Sequence, residues 1–487
     1  TAGDLLVNAR PITITASEQG KIYGDPLTLS DTAFSVTDLN GGALLPNGEL
    51  VDTVAVASSG GLDASTSTAV GTYANDLTPT AQTGSNGFVA TNYDITYATG
   101  DFVITPRALT LTASQQSRIY GDTLTLDDTA FTLLDKDGTA LLPNGETVDT
   151  VAVASTGNIA GTTTADAVTY GDNLVLSSQT GSNGFVASNY DISYVAGDLV
   201  INPRQLELIA SQQQKFYGNG LTLDNTAFTL IDTPTGTAAL PNGEQVDIVT
   251  LASTGGIDAS TTAAVGTYAG DLVISDQSGS AGFDAGNYTI SYTAGDLLVN
   301  ARPITVSPTD QTQIYGQSVT LDNTAFTVSD DLNGGALLPN GEQIDTVAVA
   351  SAGGASPTSN VGLYTNDLSL SGQAGSAGFD AANYAITYET ADYTVTPREI
   401  TLTGVDQSKP FGTSLTPDNT AFTLLDILTG TALLPNGESI ESVLIESLES
   451  LAQSEATMPG LYSDNLVFND QVGSAGFNPA NYAITYV

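Results

Sequence analysis

Apolar and polar residues alternate along most of this chain in short runs. In its first part the runs are PITITA, KIYG, LTLS, AFSVTD, VDTVAVA, TYANDL, NYDITY and GDFVIT, set apart by stretches rich in Gly, Pro, Asn, Asp and Ser. A period of two puts successive side chains on opposite faces of an extended backbone, so each run predicts a half-buried β-strand and each polar stretch a turn. Helical periodicity is nearly absent. The alternation is sharpest in GDFVIT, where Phe102 and Ile104 share a face. It returns in Leu199 and Ile201, Leu297 and Val299, Tyr393 and Val395 and, near the chain start, in Leu5 and Val7.

The whole pattern repeats. LPNGE recurs with its proline at Pro46, Pro143, Pro241, Pro339 and Pro435, and Asn-Tyr recurs with Tyr93, Tyr190, Tyr288, Tyr384 and Tyr482. Both landmarks give a period of about 97 residues, the mark of tandem domains. The units are 11–107, 108–204, 205–302, 303–398 and 399–487, with 1–10 as a separate leading strand. The expected fold is all-β, a linear array of five small β-sandwich-like domains, Ig-like or related. Only Pro-Arg or Ala-Arg-Pro separates one unit from the next, so a stiff rod on the order of 200 Å is expected.

Pro-Asn-Gly joins a proline of preset φ to two residues that tolerate positive φ, which predicts a chain reversal between strands. Tyr23-Gly24-Asp25 recurs as Tyr120-Gly121-Asp122, Tyr217-Gly218-Asn219, Tyr315-Gly316-Gln317 and Phe411-Gly412-Thr413. Ring and glycine persist while the carboxylate drifts, which suits a packed ring beside a tight turn and not a Ca²⁺ ligand set. Other acids do recur, namely Glu49, Glu146, Glu244, Glu342 and Glu438 after Pro-Asn-Gly, and Asp76, Asp172, Asp271, Asp367 and Asp464 after a tyrosine. These are the candidates for a cation, Ca²⁺ being the one to expect, or for an ion pair; turn capping is the simpler role. One arginine marks each boundary: Arg10, Arg107, Arg204, Arg302 and Arg398. Since guanidinium holds a carboxylate through two hydrogen bonds, each is expected to lock adjoining units against an acidic loop, the alternative being a solvated linker cation.

Composition narrows the possible chemistry. Lys+Arg 10 against Asp+Glu 53 gives a net charge of −43, which disfavours nucleic acid and anionic membranes as partners. With no Cys there is no disulfide or thiolate site, and with no His the common general base, the Ser-His-Asp relay and imidazole metal ligands are missing, so no enzyme and no cofactor is expected. No apolar stretch reaches the ~18 residues of a membrane helix, so no membrane insertion is expected.

The order Tyr23-Gly24-Asp25, Gly71-Thr72-Tyr73, Asn92-Tyr93 and Phe102 to Arg107 resembles the MBG and YDG-type repeats of large bacterial surface and secreted proteins, a match that covers all five units. The resemblance implies a β-rich module used in tandem as a stalk or adhesive shaft on a secreted or cell-surface bacterial protein, without catalytic residues. The fifth unit departs from the pattern at Lys409-Pro410-Phe411 and in IESLESLAQSEATMPG, where a short helix is expected.

The opening TAGDLLVNARPIT returns as Thr293 to Thr305, closing the third unit and opening the fourth, whereas the fifth unit stops at NYAITYV. Two explanations stand. The chain is a window on a longer array, or Leu5, Leu6, Val7 and Asn8 fill the vacant position in the fifth unit of another copy and build a head-to-tail filament. Divergence of the fifth unit, usual for terminal repeats, favours the second. The expected partner is then the chain itself, with an extracellular polysaccharide or host surface as partner if the array serves as a ligand-binding adhesin.

Overall fold

Structure is described for residues 3–487 in this computed structural model. The chain divides into two compact units. One comprises the residues up to Leu208 with Thr229–Ile248 and Gln277–Ser291; the other comprises Ile209–Phe228, Val249–Asp276 and Tyr292–Val487. The first holds repeats one and two and the part of repeat three that meets repeat two. The second holds the remainder of repeat three with repeats four and five.

Repeat one has seven strands, β1 (Arg10–Ala16), β2 (Gln19–Ile22), β3 (Phe34–Asp38), β4 (Leu50–Ser58), β5 (Gly71–Ser85), β6 (Tyr93–Ala98) and β7 (Gly100–Thr105). They form two sheets in the orders β3-β1-β6 and β2-β7-β5-β4. Ile12 and Ile14 on the first sheet meet Val54 and Val56 on the second, so the alternation read from sequence is an inward face on each layer. All five repeats are β-rich, and the chain is an all-β repeat array. Each sheet also carries one parallel pair, β1 with β6 and β2 with β7. An immunoglobulin sandwich is antiparallel throughout, so these domains are related to it in layering and not in pairing.

The closing strand β7 lies in the middle of its sheet, parallel to β2 and antiparallel to β5. Its inward Phe102 and Ile104 are buried, as are Leu199 and Ile201, Leu297 and Val299, and Tyr393 and Val395 in the later repeats. In the fifth repeat the three-stranded sheet is complete, with Arg398–Gly404 paired to Phe422–Asp426 and Tyr482–Tyr486. Its other sheet contains, among the described residues, only Ser439–Ser447 and Leu466–Ser474. The counterpart of β5, fifteen residues long as Gly362–Ser376 in repeat four, is cut to nine, and residues 405–410 form no strand where β2 would be. Both differences fall on strands that pair with β7, which has no counterpart among the described residues of repeat five. β2 and the first half of β5 take their ladder hydrogen bonds from β7, so without it neither has a partner.

The short helix expected in IESLESLAQSEATMPG is instead a single 3₁₀ turn, Leu448–Ser450. Glu449 and Ser450 both have positive φ, which a continuing right-handed helix does not admit. No helix among the described residues is long and apolar enough to cross a membrane.

Candidate functional site

Each boundary between repeats repeats one arrangement. β7 ends at Thr105, and after Pro106 the next first strand begins at Arg107, so the arginine is the opening residue of the following repeat. The Tyr23-Gly24 turn follows β2 and is tied to the end of β7 by Tyr23 N–H donating to Thr105 O at 2.9 Å. It therefore emerges against the Pro-Asn-Gly-Glu turn of repeat two. That turn has the geometry its residues favour, with Asn144 at φ 59° and Gly145 at φ 75°. Its role is larger than chain reversal, because it forms the receiving half of the junction.

Glu146 sits between two phenols from different repeats. Tyr23 donates its hydroxyl to Oε1 at 2.5 Å and Tyr190 donates to Oε2 at 2.6 Å. The two rings meet edge to face at 5.6 Å, and Glu146 is only 5 % exposed. Tyr120 and Tyr288 hold Glu244 in the same way, Tyr217 and Tyr384 hold Glu342, and Tyr315 and Tyr482 hold Glu438. Burial and the hydrogen bond to Glu146 push the Tyr23 phenol up to about 12, and the phenols of Tyr120 and Tyr217 rise as far for the same reasons. Tyr190, Tyr288, Tyr384 and Tyr482 are raised further still. Backbone amides join in: Asn189 Oδ1 accepts from Val70 N–H at 3.0 Å, and Asn144 Nδ2 donates to Thr66 O at 3.0 Å.

The glycine of the turn is required by contact as well as by conformation. Gly218 has φ +84°, and a Cβ there would stand 2.4 Å from the Pro339 ring. Gly412, at φ +81°, has nothing within 4 Å. Gly412→Ala should cost about 1 kcal/mol of backbone strain, while Gly218→Ala adds overlap with a ring that cannot rotate away and should cost about 3 kcal/mol. Denaturant melts of the two variants test the difference; equal costs would mean that Pro339 is not seated on the turn.

The boundary arginines span the junctions. Arg204 Nε and NH2 each donate to Asp232 at 2.8 Å, while NH1 donates to Tyr120 O at 3.1 Å and Asp122 Oδ1 at 3.0 Å. Arg107, Arg302 and Arg398 likewise pair with Asp135, Asp330 and Asp426 of their own repeat and with the carbonyl of Tyr23, Tyr217 or Tyr315 of the preceding one. The constant partner across the junction is that carbonyl, so the residue after Tyr-Gly can drift from Asp25 to Asn219 and still accept. Burial alone would raise the Asp135 carboxyl, but the Arg107 guanidinium and the amides of Thr139 and Asp137 hold it down at about 2. Arg10 reaches Asp38 at 2.5 Å.

The acids after tyrosine do not all share a position. Asp76, Asp271 and Asp367 cap the loop after β4 or its counterpart, accepting from Gly60 N–H at 2.7 Å, Gly255 N–H at 2.7 Å and Gly354 N–H at 2.9 Å. Asp172 and Asp464 stand one residue earlier, at the positive-φ position also held by Asn75, Gly270 and Asn366. In those two repeats the hydroxyls of Ser155 and Ser447 bond Asn173 and Asn465 instead. Glu49 accepts from Tyr93 at 2.7 Å. Among the described residues no group of three or more acidic side chains converges in a way that could hold a metal ion. Leu5, Leu6 and Val7 are 89 %, 80 % and 82 % exposed and, with Asn8, lie in no strand.

A second cation position is not obvious from motifs. Lys21, Arg118, Lys215 and Lys409 follow the first strand of their repeats and turn inward on a loop whose carbonyls they satisfy; Lys409 Nζ donates to Leu451 O, Ala452 O and Ser454 O at 2.7, 2.8 and 2.6 Å. Gln313 does the same in repeat four, donating to Gly354 O and Ser356 O. The ten Lys and Arg thus comprise five at boundaries, four here and Lys136. Their spacing was the available signal.

The arrangement has the chemistry of a fixed joint: buried carboxylates whose strong donors are supplied by the chain. The sequence model of the MBG domain (YGX type) matches residues 12–103 and 206–298, the first and third repeats, each containing a Tyr-Gly-X turn of this joint. This agrees with the resemblance drawn from the motifs: two of the repeats match the family model, and the array is consistent with MBG tandem repeats. Such repeats typically occur in adhesin-like surface proteins. No curated protein matches the chain.

Proposed function

We propose that this array of MBG repeats is the structural subunit of an extracellular or cell-surface filament, in which Leu5 to Asn8 of one chain complete the fifth repeat of the next. The observation that carries the proposal is a closing-strand sequence at the front of the chain, together with a second sheet of repeat five that holds two strands among the described residues. Around it, Phe411 and Leu461 are 64 % and 89 % exposed. Residues 3–10, GDLLVNAR, are identical to 295–302, the segment whose Leu297 and Val299 are buried as the closing strand of repeat three. A donated strand would bury Leu5 and Val7 for roughly 1.5–3 kcal/mol each and add a backbone ladder on both sides.

Sedimentation velocity is the test. The intact chain is expected to form concentration-dependent head-to-tail oligomers, and deletion of residues 3–8 to leave it monomeric. Extending Val487 with Ala-Gly-Asp-Leu-Leu-Val-Asn, which supplies the strand within the same chain, should also block assembly while protecting repeat five from hydrogen exchange. Normal assembly by the deleted chain would end the proposal.

The competing reading is a stretch of a longer adhesin stalk that spaces or carries a glycan- or surface-binding activity. Four internal boundaries favour it, since in each the closing strand comes from the same chain. Intact mass of the native protein separates the two, because a stalk requires a closing strand beyond Val487.

A further inference from the structure

We propose that the Asn-Gly pairs of the four junctions, Asn144-Gly145, Asn242-Gly243, Asn340-Gly341 and Asn436-Gly437, are deamidation sites that a closed joint guards and an opened joint exposes, so that opening becomes a permanent change. The proposal is independent of whether the array is a filament subunit or a stalk. All four asparagines are exposed, so water reaches them and burial does not protect them. In the reaction the backbone nitrogen of the glycine bonds to the asparagine Cγ and gives up its proton, and the side-chain amide leaves as ammonia. Water then opens the five-membered imide at either carbonyl, which leaves Asp or its β-linked isomer. Glycine favours this step because it has no side chain to hinder its nitrogen.

Two features of the closed joint oppose ring closure. Asn340 has φ 58° and ψ 9°. At ψ near zero the nitrogen of Gly341 eclipses the nitrogen of Asn340 itself and is turned away from Cβ, so it does not reach Cγ. Asn144, Asn242 and Asn436 are held in the same way, at ψ 12°, 8° and 15°. The leaving amide is also tied down: Asn340 Nδ2 donates to Thr261 O of the preceding repeat at 3.0 Å. Asn144, Asn242 and Asn436 donate likewise to Thr66 O, Thr163 O and Pro357 O. A left-handed asparagine persists where its surroundings dictate it, and here Gly218 of the preceding repeat lies against the Pro339 ring that leads into the turn. Separating the repeats removes both restraints. The product does not return to the joint, because a carboxylate at position 340 brings no donor to Thr261 O and stands beside Glu342, whose Oε1 is 3.4 Å from Asn340 Nδ2.

Peptide mapping by mass spectrometry, after incubation of the full chain at mildly alkaline pH, reads this directly. Deamidation at the four sites should be ~100-fold or more slower in the native chain than in denaturant, because it waits on opening. Gly218→Ala, which crowds Pro339, should speed the reaction at Asn340 about tenfold and leave the other three sites at the parental rate. Asn340→Asp, the product made directly, should lower hydrogen-exchange protection about tenfold at Val265, whose amide donates to Asn383 across the same junction. Equal rates in the native and denatured chains overturn the proposal. So does a Gly218→Ala chain in which Asn340 fails to accelerate or all four sites accelerate together, or an Asn340→Asp chain that protects Val265 as the parent does.

Discussion

Replacing Arg302 by methionine should cost the chain about 3–5 kcal/mol at the junction of repeats three and four. Methionine fills much the same volume, so the loss is electrostatic. Asp330 is fully buried, and its carboxylate has Arg302 within 3.0 Å of Oδ1 and 2.5 Å of Oδ2. The backbone amide of Leu332 at 3.2 Å and the Asn333 side chain at 3.1 Å would remain as donors, yet neither carries charge. The same substitution frees Tyr217 O and Asn219 Oδ1, which both accept from Arg302 NH1. Arg10→Met is the internal control: its guanidinium is a third exposed, where an ion pair contributes about 0–1 kcal/mol. Because several domains melt in one chain, a single transition is not assured, and hydrogen exchange on either side of the junction is the better probe. Equal protection in the two variants would show that burial of Asp330 does not raise the worth of its partner.

How much of this was legible in the residues depends on the range of the interaction. Strands were, because alternation such as Phe102 and Ile104 in GDFVIT is a local signal. Pairing order was not: nothing in GDFVIT states that it lies between β2 and β5, the placement that makes both strands depend on it. The Tyr-Gly and Pro-Asn-Gly-Glu motifs were both found, each with a role inside its own repeat. In space Tyr23 and Glu146 are partners 123 positions apart, one per repeat, and a perfect tandem repeat hides which copy a residue addresses. The one break in the pattern, tyrosine to Phe411, marks the copy whose turn meets no later repeat among the described residues. Asp172 and Asp464 misled because adjacent Asp and Asn exchange roles there: the cap needs only a side-chain oxygen, which Asn173 and Asn465 supply.

Raising the pH from 10 to 12 should open the junctions before the repeats lose their cores. A tyrosine whose folded pKa lies above its unfolded value of 10.0 holds its proton more tightly when folded. Its contribution is therefore complete below pH 10 and is lost as the pH rises through the folded value, about 12 for Tyr23, Tyr120 and Tyr217. Each excess proton retained by the native state removes about 1.4 kcal/mol per pH unit. Two phenols share each glutamate, so one junction loses on the order of 5 kcal/mol by the upper end of that range, comparable to the whole stability of a small domain. Ionising either phenol would also set a phenolate against the carboxylate it now binds. Release should therefore be cooperative within a junction. Tyrosinate absorbance followed against hydrogen exchange is the measurement: the expected result is a late, steep rise that coincides with loss of protection at Val70, Ala167, Val265 and Val361, whose amides donate to Asn189, Asn287, Asn383 and Asn481 across the junctions. Glu244→Gln, which keeps the shape and removes the charge, should shift the rise from Tyr120 and Tyr288 to lower pH and leave the other junctions unmoved. Ionisation of all tyrosines near pH 10 without loss of protection would mean that the phenols are not confined against their glutamates.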